Sequence, residues 1–249
     1  MSAPPSQSDA AGMHTELMRR FGLEGTPESV TRLTQLIAGR DSDLDELARV
    51  IDQDPHLRRR LLRAANPGVG SEAQFMIETA GEALMRIGVG CALLMAMGTP
   101  LALALTKTFQ TMLSMKLDNI NPQIAPPLEG QYIRATIRFT GKAVGRVNLR
   151  MSVNSAGVIA GTLLGSGPTG LTPGIINDTV GELLNIMTGN FKSNLSDAGL
   201  DCRLEPPQVW RTDERYVATV RGGGLERMAF RAGQLILFVD VAVNPWNDE

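Results

Sequence analysis

Histidine, cysteine and aromatic side chains are scarce in this chain. Its 249 residues include only two histidines, His14 and His56, and two cysteines, Cys91 and Cys202. Two histidines cannot assemble a histidine-based metal cluster, so no metal site of its own is expected. The cysteines are far apart and lack metal-ligand spacing, which fits reduced thiols in a cytoplasmic protein. Aromatics make up 4% of the chain, too few for base-stacking platforms. The net charge is −2 and no basic block occurs, so electrostatics give nucleic-acid binding no support. A secretory signal is also missing, because Met1 to Asp9 is rich in Ser, Pro and Gln and has no apolar core. Residues 1–24 read as a disordered tail. The uncharged run from Ile87 to Leu105 could span a bilayer by length. Gly88, Gly90 and Gly98-Thr99-Pro100 interrupt it, so two buried helices or a helix and turn fit better than a membrane span.

What is present begins with helices. Thr26-Pro27-Glu28 opens one through Leu33, Leu36 and Ile37, which stops at Gly39. Ser42 is expected to cap a second, with Leu44, Leu47, Ala48 and Ile51 on its apolar face. Asp54-Pro55 starts a third, and Asn66-Pro67-Gly68 ends it. A fourth is expected near Thr79 to Ile87 and a fifth from about Val89 to Met97. Thr106 to Asp118 is amphipathic, with Phe109, Met112, Leu113 and Leu117 on one side.

Asn119 to Gly130 is a proline-rich connector. Tyr132, Ile133, Ala135, Ile137 and Phe139 then lie among Arg134, Thr136 and Arg138, which is a strand signal. Thr140-Gly141-Lys142 turns into a second strand, Ala143 to Val153. Ala156 to Gly165 reads as a short helix. Asp201 to Val209, Tyr216 to Arg221 and Glu226 to Val243 read as later strands, with a turn at Gly222-Gly223-Gly224. This order predicts an α+β domain in which helices pack on an antiparallel sheet.

The richest stretch runs from Thr172 to Ser193. Thr172 suits a helix N-cap and Pro173 the first helical position. At 100° per residue, Val180, Leu183, Leu184, Met187 and Phe191 form one core stripe. Asp178, Glu182, Asn185 and Gly189 fall on the opposite side, where residues three and four apart stand beside one another. Any one polar residue there could be ordinary solvated surface. The group together, with Pro206-Pro207 downstream, carries more information.

Asp178-x-x-x-Glu182-x-x-Asn185 resembles the signature of the chemotaxis phosphatase family CheC/CheX/FliY. One such motif is present, as in CheX. In the family pattern a proline follows the Asn after 22 residues. Here that position is Gln208, and Pro207 comes one residue early. The resemblance covers roughly residues 103 to 243 and implies a CheX-like architecture. A second resemblance rests on the string Asp43 to Asn66 and on Ile77 to Gly88. Both are similar to parts of the HDOD domain, a helical relative of the HD phosphohydrolases that lacks their metal ligands. The expected division is therefore a tail at 1–24, a shortened all-helical HDOD-like domain at 25–102, and a CheX-like domain at 103–244.

The first resemblance implies a substrate, a phosphorylated receiver domain such as CheY, with magnesium carried by that receiver. It implies that Asn185 holds the attacking water while Glu182 pairs with a receiver lysine. Asp178 then supports Glu182 or the contact, and Gly189 leaves room for a partner backbone. The alternative is a non-catalytic adaptor that binds a receiver through the same face and another partner through its helical domain. CheX-like domains pair through strand edges, so a homodimer is expected as well. Other signals are weaker. The Gly165-Ser166-Gly167 loop lacks the Gly-Lys-Ser/Thr of a phosphate loop. Cys202 has no histidine placed to activate it. Arg58, Arg59, Arg60 and Arg63 read as a solvated basic face.

Overall fold

The order of elements follows the sequence closely, and most of the caps are where the residues put them. In the computed structural model, residues 27–39, 43–66, 76–122, 124–167, 170–197, 200–216 and 225–244 are described. The helical half consists of α1 (Pro27–Ala38), α2 (Leu44–Asp52), α3 (Pro55–Ala65), α4 (Ala80–Ile87) and α5 (Val89–Leu113). Asp54 caps α3, its carboxylate accepting from the N–H groups of His56 and Leu57 at 3.0 and 3.1 Å. Thr79 and Glu82 form a reciprocal capping box at the start of α4. The cap of α2 is Asp43, which accepts from Asp45 N, rather than the expected Ser42, which lies outside the described residues. Asn66 closes α3 and holds the next segment in place. Its amide donates to the carbonyls of Leu62 and Ile77 and accepts from Ile77 N.

Helix α4 turns into α5 at Gly88, whose φ of 84° is open to glycine at little cost. The expected stop after Met97 does not occur, and α5 runs unbroken through Pro100 to Leu113. Proline removes one backbone hydrogen bond. That loss is outweighed by packing, since α5 lies against α1 and α4 on one side and the sheet domain on the other. Ala102, Leu105, Phe109, Leu113 and Leu117 are buried, while Met112, expected beside them, is 42% exposed. None of the described helices is long and apolar enough to cross a membrane.

The remaining elements are β1 (Asp118–Ile120), β2 (Tyr132–Gly141), β3 (Val144–Ser152), α6 (Val153–Leu164), α7 (Pro173–Asp197), β4 (Cys202–Leu204), β5 (Gln208–Thr212), β6 (Leu225–Ala232) and β7 (Leu235–Asn244). All pairings are antiparallel, in the order β1-β6-β7-β3-β2-β4, with β5 also on β2. Strand β1 spans the end of the amphipathic segment, at Asp118, and the first two residues of the proline-rich connector. Glu205-Pro206-Pro207 splits the expected single strand at 201–209 into β4 and β5, because proline cannot donate to the ladder. Tyr216 makes an isolated bridge to Leu128. The rest of the strand expected there, and the glycine turn at 222–224, lie outside the described residues.

Helices α5, α6 and α7 pack on one sheet face, which supplies Ile133, Ile137, Phe139, Val147, Leu149, Leu237, Val239 and Val241 to the core. One continuous cluster joins this core to that of the helical half. The fold is α+β, an all-helical half followed by an antiparallel sheet with its helices. Residue 102, the expected limit of the first domain, falls inside α5, which both halves share. An ion pair also links them. Arg60 of α3 donates to Met95 O at 2.8 Å and to Glu226 Oε1 of β6 at 3.3 Å. On the far sheet face, Leu128, Tyr132, Ala229 and Phe238 form a small second cluster. Asp240 is buried beside it and is held by Arg150 and Arg227.

Two predictions test this packing. At Gly145, a Cβ would lie 2.1 Å from Ala242 O and 2.5 Å from the Phe139 ring. Gly145→Ala is expected to cost about 3 kcal/mol in urea unfolding, because backbone must shift to admit the methyl. The second concerns Glu226. Burial pushes its carboxyl above the usual range, and Arg60 partly offsets this. Arg60→Ala removes the offset, so ionising Glu226 becomes costlier in the folded state. A carboxyl raised on folding loses stability as pH rises from the unfolded value of about 4.3. The variant should therefore lose more at pH 8 than at pH 5. With 17% of the Glu226 side chain accessible, the loss should be about 1–2 kcal/mol, below that of a fully buried pair. An equal loss at both pH values would contradict this account.

Candidate active site

Helix α7 begins as its sequence requires. Ile175 N donates to Thr172 Oγ1 at 3.3 Å and Ile176 N to Thr172 O at 3.1 Å, with Pro173 in the first position. Val180, Leu183, Leu184, Met187 and Phe191 are each no more than 1% exposed. The Phe191 ring meets Phe139 of β2 edge-on at 6.2 Å. This stripe fixes the rotation of the helix about its own axis.

The opposite side therefore faces solvent. Asp178, Glu182 and Asn185 are exposed, and Gly189 is half-buried. The four lie along one face over three turns, about 16 Å at 1.5 Å per residue. Among the described residues, no hydrogen bond or ion pair engages the side chains of Asp178, Glu182 or Asn185. Nothing lies within 4 Å of where a Gly189 Cβ would stand. The structure thus places all four expected residues on one helix face, with the three polar side chains unpartnered among the described residues.

Strand β5 braces the turns that carry these residues. Arg211 Nε donates to Asn177 Oδ1 at 3.1 Å and Arg211 Nη2 to Pro173 O at 3.3 Å. Further along, Gly181 admits its neighbours closely. A Cβ there would sit 3.4 Å from Val209 Cγ2 and 3.5 Å from Pro207 Cγ. Pro207 thus lies against the helix one residue before Glu182. Ile175 adds an apolar residue, 41% exposed, one turn before Asp178. Sequence reasoning missed Arg211 and Ile175. Ile175 was within reach, because it falls outside the core stripe and beside the polar face. Arg211 was not, since its role depends on strand pairing.

Chemically, the face offers a free carboxylate and a free carboxamide. A carboxylate accepts from a cation such as a lysine ammonium. A carboxamide accepts at its oxygen and donates from its nitrogen, so it can orient a water without deprotonating it. The other sites raised by the sequence contribute nothing to this face. Cys202 is buried, and burial pushes its thiol pKa up, away from nucleophilic use. The arginines of α3 are partly structural, with Arg58 Nε 2.8 Å from Asp52 and Arg60 engaged as described. Arg59 and Arg63 line a groove of about 1030 Å³ with Leu62 and Met76, which includes no residue of α7.

Comparison with known proteins matches two segments of the chain to family models. The model described as "Chemotaxis phosphatase CheX" matches residues 133–226, which include all of α7. The model described as "HDOD domain" matches residues 23–118. No curated protein matches the chain. Among solved structures, the chain is similar to the chemotaxis protein CheX from Vibrio vulnificus, at 24% identity over 58% of this chain and 94% of that one, with a TM-score of 0.48. It is also similar to CheX from Desulfovibrio desulfuricans, at 18% identity over 59% and 99%, TM-score 0.47. A third is the CheX–CheY–BeF3–Mg2+ complex from Borrelia burgdorferi, at 18% identity over 58% and 96%, TM-score 0.46. With the signature residues exposed on a helix inside the matched segment, this chain carries a CheX-like domain preceded by an HDOD-type helical domain.

Proposed function

We propose that the protein is a phosphatase for an aspartyl-phosphorylated, CheY-like response regulator. The observation that carries this reading is the solvent face of α7, where Glu182 and Asn185 stand exposed with no side-chain partner among the described residues. The matched family, whose description names a chemotaxis phosphatase, supports the reaction class.

In the proposed reaction, water attacks the phosphorus of the acyl phosphate in line with the bond to the aspartate oxygen. The P–O bond breaks, the aspartate carboxylate is regenerated, and inorganic phosphate leaves. The attacking water's proton ends on phosphate oxygen. Such a transfer needs positioning and charge stabilisation more than covalent help. Asn185 suits the positioning, its carboxamide oxygen accepting from the water. Glu182, one turn earlier, would pair with a lysine of the receiver and so set the depth of docking. Asp178 would support that contact. Gly189 would let receiver backbone approach the helix. Magnesium belongs to the phosphorylated receiver and arrives with the substrate.

The assay is phosphate release from a phosphorylated receiver with magnesium present. Asn185→Ala should lower kcat by about 10²-fold or more with little change in KM, as expected when a water-orienting group is lost. Glu182→Ala should instead raise KM, and Glu182→Gln should recover little, because the lysine pairing needs charge. Binding of the receiver with no acceleration of its decay would overturn the phosphatase reading and leave an adaptor.

A further inference from the structure

The sheet's second face, on the side away from α7, holds a charge pattern that the proposed reaction does not use. Side chains alternate along each strand, so the register fixes which residues share this face. Arg138 of β2 stands directly opposite Arg146 of β3, and Arg134 directly opposite Arg150. Arg203 of β4 lies opposite Thr140, the next position of β2 on the same face. Like charges directly opposite one another across strands are destabilising. For Arg150 the fold supplies an answer, the buried carboxylate of Asp240. For Arg134, Arg138, Arg146 and Arg203 no ion pair is made among the described residues. Arg138, Arg146 and Arg203 are exposed. Arg134 lies 5.6 Å from the centre of the Trp210 ring, and its Nε is buried with no hydrogen-bond partner. Among the described residues, two carboxylates come near them: Glu205, whose N–H donates to Arg138 O at 2.9 Å, and Asp240, which lies opposite Asn148 and is taken up by Arg150 and Arg227.

Such a face lowers stability unless something negative completes it. From these four uncompensated guanidinium groups we infer that the face docks an acidic segment of a partner protein. Arginine is suited to this, since its planar fork takes carboxylate in two parallel hydrogen bonds. Arg134 and Arg138 are about 13 Å apart along β2, and Arg138 and Arg146 about 5 Å apart across the hairpin. A short extended stretch of Asp and Glu would span that spacing. Nucleic acid fits less well, because the net charge of −2 leaves no wider basic field to follow a phosphate backbone. The surface is separate from α7, so an acidic partner and a receiver could be held together.

The test uses the full chain and a fluorescein-labelled peptide of about ten glutamates, followed by anisotropy at low ionic strength, where screening is weak. The wild type should bind it. Arg138→Glu with Arg146→Glu should weaken binding at least tenfold, whereas Arg59→Ala with Arg63→Ala in the α3 groove should leave it unchanged. Arg146→Glu alone should weaken binding and raise the melting temperature by a few degrees, since it turns a like-charge pair into an opposite-charge one. Three results would overturn the inference. One is peptide binding that ignores the sheet-face reversals. Another is a melting temperature that falls in Arg146→Glu. The last is occupation by something else, seen as poly-U binding in place of the peptide or as a change of mass by light scattering that marks a second copy.

Discussion

The burial of one stripe of α7 against β2 is the constraint on which the rest depends. Val180, Leu183, Leu184, Met187, Phe191 and Leu195 are each at most 1% exposed. Removing each from water is worth about 1.5–3 kcal/mol, as an upper bound. Turning the helix by one residue would rotate it by 100°, lift part of that stripe into solvent and carry Glu182 toward the sheet. The core therefore decides which way Glu182 and Asn185 point. Exposed polar groups on the far side contribute little to stability, which leaves them free to be chosen for what they do to a partner. Neither the carboxylate nor the carboxamide is engaged by another of the described residues, so both are available at the surface.

The helical half is bound into the same core rather than tethered beside it. Helix α5 lies against α1 and α4 and also against α7 and the strands β6 and β7. Independent domains usually meet through modest polar interfaces and move relative to one another. Here a single helix belongs to both, and Arg60 reaches across to Glu226. A displacement of α3 or α4 would press on the helix that backs α7. The HDOD-type half is thus mechanically coupled to the helix that carries the polar face.

Much of this was legible in the residues. Caps at Asp54 and Thr172 each pair a short polar side chain with a following proline, and such signals are local. The β2–β3 hairpin was legible for the same reason, through strict alternation about a glycine turn. The misreadings share one cause, which is tertiary context. Gly98-Thr99-Pro100 looks like a stop, yet α5 continues because packing on both sides holds it. Strand β1 is three residues long and exists only through pairing with β6. Nothing in Asp118-Asn119-Ile120 marks it in advance. The face carrying Asp178, Glu182 and Asn185 was legible because helical periodicity alone separates it from the core. Arg211 was invisible because its reach to Asn177 depends on where β5 lands.

The early proline shows how a departure from the family pattern can be absorbed. By count the proline belongs at Gln208, but Gln208 is already the first residue of β5, paired with Thr136. Proline is best tolerated just before or at the first position of a strand. Pro207 meets that condition while ending the break between β4 and β5. Its ring also rests beside Gly181, the helix position with no side chain to obstruct it. Pro207 sets a rigid apolar ring against the turn that carries Glu182. A shift of one residue before the strand begins preserves that contact, because the β5 register on β2 is set by Gln208 to Thr212 and not by the proline. The small side chain at 181 and the ring at 207 are thus one feature, and a bulkier residue at either position would push the helix from the strand that braces it.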